Sequence, residues 1–125
     1  MRLTIPMQPV AKGRPKFTRN GYAYTPTKTR EAEAFIKTCA IGNETFADGI
    51  PLLMTLRFYF TKPKSAKKRV YHTVKPDCTN LAKLVEDSLN GITYHDDSAI
   101  VQMFIYKDYG EPARIEVEIN QIGGE

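Results

Sequence analysis

The chain has no apolar run approaching the ~20 residues that cross a bilayer, and its first residues, MRLTIPMQPV, are too few and too proline-broken for a signal peptide. A cytoplasmic protein is expected. Only two cysteines occur, Cys39 and Cys78, both in or at the start of expected helices and neither with a CxxC or Cys/His neighbour. That spacing argues against a zinc site and for reduced, inert thiols. No internal repeat or low-complexity tract is found. The most telling absence is of acid. Residues 1–30 carry seven cations (Arg2, Lys12, Arg14, Lys16, Arg19, Lys28, Arg30) and no carboxylate, and residues 49–76 carry seven more (Arg57, Lys62, Lys64, Lys67, Lys68, Arg69, Lys75), again with none.

Fourteen of the eighteen cations thus lie in two acid-free blocks, which a net charge of +4 understates. Segregation of this kind suits a polyanionic partner, most simply nucleic acid, because each neutralised phosphate releases a counterion. A basic surface kept for solubility is the plainer alternative. RNA is a weaker reading than DNA, since no RNP, KH or double-stranded RNA motif is visible. At 125 residues, 42% apolar and 26% charged, the chain reads as one ordinary globular domain that buries roughly two thirds of its unfolded surface.

What is present sorts into short elements. Leu3, Ile5 and Met7 alternate with Arg2, Thr4 and Pro6, as in an edge strand. Residues 10–24 mix cations with Phe17, Tyr22 and Tyr24 around an Asn20-Gly21 turn, a basic hairpin or arm whose aromatics either face a nucleic acid or pin the loop to the core. Thr25-Pro26 opens a helix with Ala32, Phe35, Ile36, Cys39 and Ala40 at helical spacing, ending near Gly42-Asn43. Residues 52–60 predict a central strand covered on both faces, and Lys62 to Arg69 a mobile basic loop over the site. A second helix, Thr79 to Asn90, places Leu81, Leu84, Val85, Ser88 and Leu89 inward. Two final strands, Ile100 to Lys107 and Arg114 to Ile122, are expected to pair as a hairpin through a turn at 108–112. Together these predict a single α+β domain over 1–125, with one mixed sheet of about four to five strands packed with two helices.

The carboxylates concentrate in Lys75 to Asp97, KPDCTNLAKLVEDSLNGITYHDD, as Asp77, Glu86, Asp87, Asp96 and Asp97. A helix of about 12 residues is about 18 Å long, and a seven-residue connector reaches at most about 23 Å, so Asp96 and Asp97 are able to return to Asp77. Three carboxylates together repel unless a cation sits among them, and oxygen-only ligands favour Mg²⁺ or Mn²⁺ over zinc. Equally open is a structural role for each: Asp77 as helix cap, Asp87 paired with Lys83 four residues earlier, and Asp96-Asp97 as a solvated turn.

The segments KPDCTNLAKLVEDSLNG and YHDDSAI resemble the signature of the RusA family of Holliday junction resolvases. In that signature Lys/Arg-Pro-Asp, a second Asp two residues on, Asn-Leu, a Lys, Asp-x-Leu-Asn-Gly and a closing Asp-Asp recur in order. GRPKFTRNGYAYTPTKTREAE is similar to the family's Arg-Pro segment, followed by Tyr-Thr-Pro and a Glu. The resemblance implies a RusA-like fold and a homodimeric, Mg²⁺-dependent endonuclease, with Mn²⁺ as an alternative ion, acting on four-way DNA junctions and typical of bacterial phages and prophages. Carried over, Asp77, Lys83 and Asp97 are the expected catalytic residues, and Asp77, Asp96 and Asp97 the expected metal ligands. Lys12, Arg14, Lys16, Arg19, Lys67, Lys68, Arg69 and Lys75 are the expected DNA contacts. The family's second Asp falls on Thr79, whose neutral hydroxyl is a poor ligand for a divalent cation. Asp87 is a possible substitute ligand, and a junction-binding protein with little nuclease activity is the alternative reading.

Overall fold

A computed structural model describes residues 1–123 of the chain. Its elements are β1 (Arg2–Ile5), β2 (Lys16–Phe17), β3 (Ala23–Tyr24), α1 (Thr27–Ala40), β4 (Leu52–Phe60), α2 (Cys78–Leu89), β5 (Ile100–Tyr109) and β6 (Arg114–Gln121). Four strands form a mixed sheet in the order β1-β6-β4-β5, and β2 and β3 form a separate antiparallel pair. The expected α+β class, mixed sheet and two helices are all present.

Strict alternation builds the sheet's inner face. Met54 lies opposite Ile119, Leu56 opposite Val117 and Phe58 opposite Ile115, and β1 adds Ile5 beside Ile115. All are buried. Ala32, Ile36 and Ala40 of α1, and Leu81, Leu84, Val85 and Leu89 of α2, close the same core from one side, the four-residue recurrences giving each helix a single apolar stripe. Both cysteines are free and half-buried.

Two expectations about the sheet are corrected. The last two strands do not form a hairpin: β4 lies between them, parallel to β5 and antiparallel to β6. The turn after β5 crosses the end of β4, where the Gly110 N–H donates to the Phe60 carbonyl at 3.0 Å. Only glycine fits there, since a Cβ would stand 2.7 Å from Cδ1 of Tyr59, whose ring lies 4.0 Å beneath the Arg114 guanidinium. Nor is β4 covered on both faces, because on its Thr55–Arg57–Tyr59 side Arg57 is exposed and the other two are only half-buried. On β5, an edge strand, Val101, Phe104 and Tyr106 are likewise exposed.

The basic segment after β4 is tied down rather than free. It makes a 3-10 turn at Lys64–Ala66 and buries Ala66. His72 is buried with its ring stacked on Phe60 at 4.0 Å between centroids and tilted against Tyr109. Burial, followed by the charge of Lys107, holds that imidazole below its ordinary pKa. Arg69 Nη1 donates to the Tyr109 hydroxyl at 3.0 Å, and Lys107 Nζ donates to the carbonyls of Val74 and Pro76 at 2.9 and 3.0 Å. The strap is therefore fixed to β5 one residue before Asp77.

Gly110→Ala should cost about 1–3 kcal/mol, the usual penalty for forcing atoms into a packed site, read as a lower urea midpoint with an unchanged slope.

Candidate active site

The N-terminus of α2 is set by Asp77. Its carboxylate caps the helix by accepting from the Asn80 N–H at 3.4 Å. Thr79 Oγ1 donates to Asp77 Oδ2 and Asn80 Nδ2 donates to Oδ1, each at 2.7 Å. These bonds, the Thr79 hydroxyl foremost and Asn80 next, hold Asp77 below the usual carboxylate pKa. The position that departs from the family pattern thus supplies a hydrogen-bond donor to the first acid instead of a second carboxylate.

Further along the outer face of α2, Lys83 Nζ lies 3.4 Å from Asp87 Oδ1, one turn on, and 3.9 Å from Asp97 Oδ2. Asp87, then Asp97 and Glu86, raise the Lys83 pKa, so the ammonium stays charged. The Asp87 carboxylate is shared: Lys12 Nζ sits 2.6 Å from its Oδ2 and 3.7 Å from Glu33 of α1. The Lys12 N–H also donates to the Asn80 carbonyl at 3.1 Å, and the Gly13 N–H to Thr29 Oγ1 at 2.9 Å. The hairpin therefore leaves the body of the protein beside the first turn of α2.

Asp97 arrives by a short return rather than a long one. The Tyr94 hydroxyl, buried, donates to the Glu86 carbonyl at 2.8 Å, and the Gly91 N–H donates to the Tyr94 carbonyl at 2.8 Å, folding the connector back on the end of α2. Burial pushes the Tyr94 phenol strongly up, so it remains a donor. Asp97 consequently lies beside the side chains of Lys83 and Glu86. Asp96 turns away to accept from Ser98, whose hydroxyl and N–H hold its pKa down. The three acids expected to converge are not gathered: among the described residues, no group of three or more His, Cys, Asp or Glu is placed to hold one ion. The structural roles open in the sequence, cap, i to i+4 pair and turn, are each realised.

Those roles leave ligand capacity. Asp77 Oδ1 accepts one hydrogen bond and keeps a lone pair, and Asp97 has a long contact to Lys83 with Glu86 beside it. An all-carboxylate donor set suits Mg²⁺, which takes one or two carboxylates and completes its shell with water and substrate phosphate. The residues fit the ion in kind.

Of the expected DNA contacts, Arg14, Lys16, Arg19, Lys67, Lys68 and Lys75 are exposed, Arg69 is half-buried against Tyr109, and Lys12 is drawn inward to Asp87 and Glu33. Both basic blocks border Asp77, one through Lys12 and one through Lys75. Glu86 was not anticipated as part of the site. Burial, against an opposing pull from Lys83 and with added repulsion from the neighbouring Asp97 and Asp87, raises its pKa. Only its burial distinguishes it from a surface acid, and no sequence pattern carried that.

Thr79→Val should return the Asp77 carboxyl towards its ordinary pKa, followed by carboxyl-carbon NMR titration. Because the native shift is downward, any stability it contributes is present above the unfolded-state value and disappears as pH falls through the folded value. The variant should therefore lose stability at neutral pH and match the native protein in strong acid.

Over residues 6–120 the chain matches the family described as Endodeoxyribonuclease RusA. It is 33% identical over 138 aligned positions to the uncharacterized protein YqaN of Bacillus subtilis (strain 168), covering 98% of this chain and 96% of that protein. It is 31% identical over 80 positions to the crossover junction endodeoxyribonuclease rusA of Lactococcus phage r1t, covering 63% of this chain and 61% of that one. With a match spanning nearly all its length, the chain belongs to the RusA family of endodeoxyribonucleases.

Proposed function

We propose that this protein is an Mg²⁺-dependent endonuclease, also served by Mn²⁺, that resolves four-way DNA junctions by paired, symmetric phosphodiester hydrolysis in the cytoplasm of a bacterial or phage-infected cell. The observation that carries this reading is that Asp77 caps α2, Lys83 follows along the same helix with Asp97 3.9 Å from its ammonium, and Lys12 is bonded to Asn80 beside Asp77. Membership of the family supports it, as does the resolvase name of the phage relative. No helix among the described residues is long and apolar enough to cross a membrane.

Asp77 would hold the ion from the first turn of α2, and Asp97 and Asp96 would join it only after the connector that follows α2 shifts towards that turn; when bound, the ion would supply phosphate polarisation and a water of lowered pKa. The remaining work falls to the chain. Lys83, permanently charged, faces the phosphoryl oxygens as negative charge develops. The Thr79 and Asn80 donors fix the Asp77 carboxylate in one orientation and keep it ionised. Arg14, Lys16, Arg19 and the strap residues Lys67, Lys68 and Lys75 hold the backbone of the DNA arms on either side. Residues 1–125 act as a single nuclease domain. Two matching cuts need two matching sites, which a two-fold homodimer provides. The exposed Val101, Phe104 and Tyr106 on the free edge of the sheet supply apolar surface for such a contact.

A second reading is favoured by one detail: Thr79 presents its hydroxyl to Asp77 where the family pattern has a carboxylate, which describes a junction-binding protein with weak nuclease activity.

A synthetic four-way junction with Mg²⁺ or Mn²⁺ separates the two. The native protein should cut symmetrically, while Asp77→Asn and Lys83→Ala should lose activity by roughly 10²-fold or more and keep junction binding. Binding without cleavage, with cleavage acquired on Thr79→Asp, would establish the second reading instead. In sedimentation, the native protein should run as a dimer and Phe104→Glu as a monomer.

A further inference from the structure

The hairpin carries three aromatic side chains that no packing accounts for. Phe17, Tyr22 and Tyr24 are 68%, 72% and 48% exposed, so they do not pin the loop to the core. Their placement follows from register. Lys16 pairs with Tyr24 and Phe17 with Ala23, and the Thr18 N–H donates to the Tyr22 carbonyl at 2.9 Å. Side chains alternate along a strand, so Tyr22 and Tyr24 share one face with Lys16, and Phe17 stands on the other. The ribbon is thin and aromatic on both faces. Gly21, at φ 82°, makes its tight turn.

Exposing three aromatics works against solubility unless they meet a partner. Charge says which. The hairpin contains Arg14, Lys16 and Arg19 and no acid, so its partner is anionic, and base faces are the flat apolar surfaces that a polyanion offers. In an intact duplex those faces are covered by stacking. They become available where strands part, as at a branch point.

We propose that the β2–β3 hairpin is a stacking wedge: Tyr22 and Tyr24 on one face and Phe17 on the other stack on bases unstacked at the crossover of branched DNA, while Arg14, Lys16 and Arg19 hold the neighbouring phosphates. The inference rests on branched DNA being the substrate. Its base is rigid where it needs to be. Lys12 holds Asp87 and Asn80, and Gly13 is pressed against Thr29, where a Cβ would come within 2.6 Å of Oγ1. The wedge thus projects from beside the first turn of α2, and a base captured by it lies close to a phosphate presented to Asp77. Selection of junctions over duplex is assigned to the aromatics, and general affinity to the cations.

The test uses a four-way junction with 2-aminopurine at the branch point, with Ca²⁺ in place of Mg²⁺ to suppress cleavage. Native protein should raise the fluorescence as the base leaves its stack. The triple variant Phe17→Ala/Tyr22→Ala/Tyr24→Ala should abolish that rise and weaken junction binding by about 10-fold or more, while linear duplex of equal length binds within about 2-fold of native. The variant Tyr22→Phe/Tyr24→Phe keeps the ring faces and should behave as native. Arg14→Ala/Lys16→Ala/Arg19→Ala should weaken junction and duplex alike and flatten the salt dependence. All replaced side chains are exposed, so thermal unfolding should be unchanged. A triple aromatic variant that keeps both the fluorescence rise and the junction preference overturns the wedge and leaves the nuclease reading intact. Aromatic-dependent fluorescence in a native protein that never cuts supports the wedge and removes the nuclease reading.

Discussion

The contact between Lys12 and Asp87 is the constraint on which the arrangement of this molecule turns. A lysine ammonium 2.6 Å from one carboxylate oxygen, with Glu33 of α1 nearby, joins the N-terminal segment to both helices at once. With the other oxygen of Asp87 reaching Lys83, two cations and two acids alternate along the seam between α1 and α2, so no charge in the seam stands alone. A half-buried pair of this kind is a weak argument for net stability, because desolvation offsets much of the attraction. Its value is in register: it determines where the hairpin leaves the body and on which side of Lys83 the acids lie.

Much of this was readable from residue order. Apolar recurrence at four-residue intervals located α1 and α2 to within a residue or two, and the alternation in Arg114–Gln121 gave β6 its inner face. The acids' local partners were also legible, since caps and i to i+4 pairs lie within one helical turn. What sequence order could not carry were contacts between distant segments. Contiguous strands suggest a hairpin by default, whereas β4 pairs with both and lies between them, with Tyr59 packed against Gly110 and under Arg114. Lys12 looked like a free cation because its partner is 75 residues away. The strap looked mobile because its anchors, His72 and Lys107, belong to a stacking contact and to carbonyl caps that leave no pattern in composition.

Site and sheet are coupled through that strap. Lys107 projects from β5 to hold the carbonyls of Val74 and Pro76, which sets the direction in which the chain enters α2, and Asp77 follows at once. A basic segment that would otherwise repel itself is laid over aromatic faces, Lys62 near Tyr109 and His72 on Phe60, where cation and ring interactions replace the missing counter-charges. Thr79 belongs to the same local logic: a hydroxyl in the first turn of α2 steadies Asp77 without adding a second negative charge beside it.

The strand order also has a temporal side. β1, at residues 2–5, is bonded to β6 at residues 115–118 and to no other described strand, so it waits for a segment more than a hundred residues later. Until β6 has emerged, β4 lacks one of its two neighbours and the core lacks Ile115, Val117 and Ile119. Long-range pairings of this kind close late and slowly. The sheet is therefore complete only when residues 115–118 lie beside β1, whereas the basic hairpin needs no pairing beyond residues 16–24.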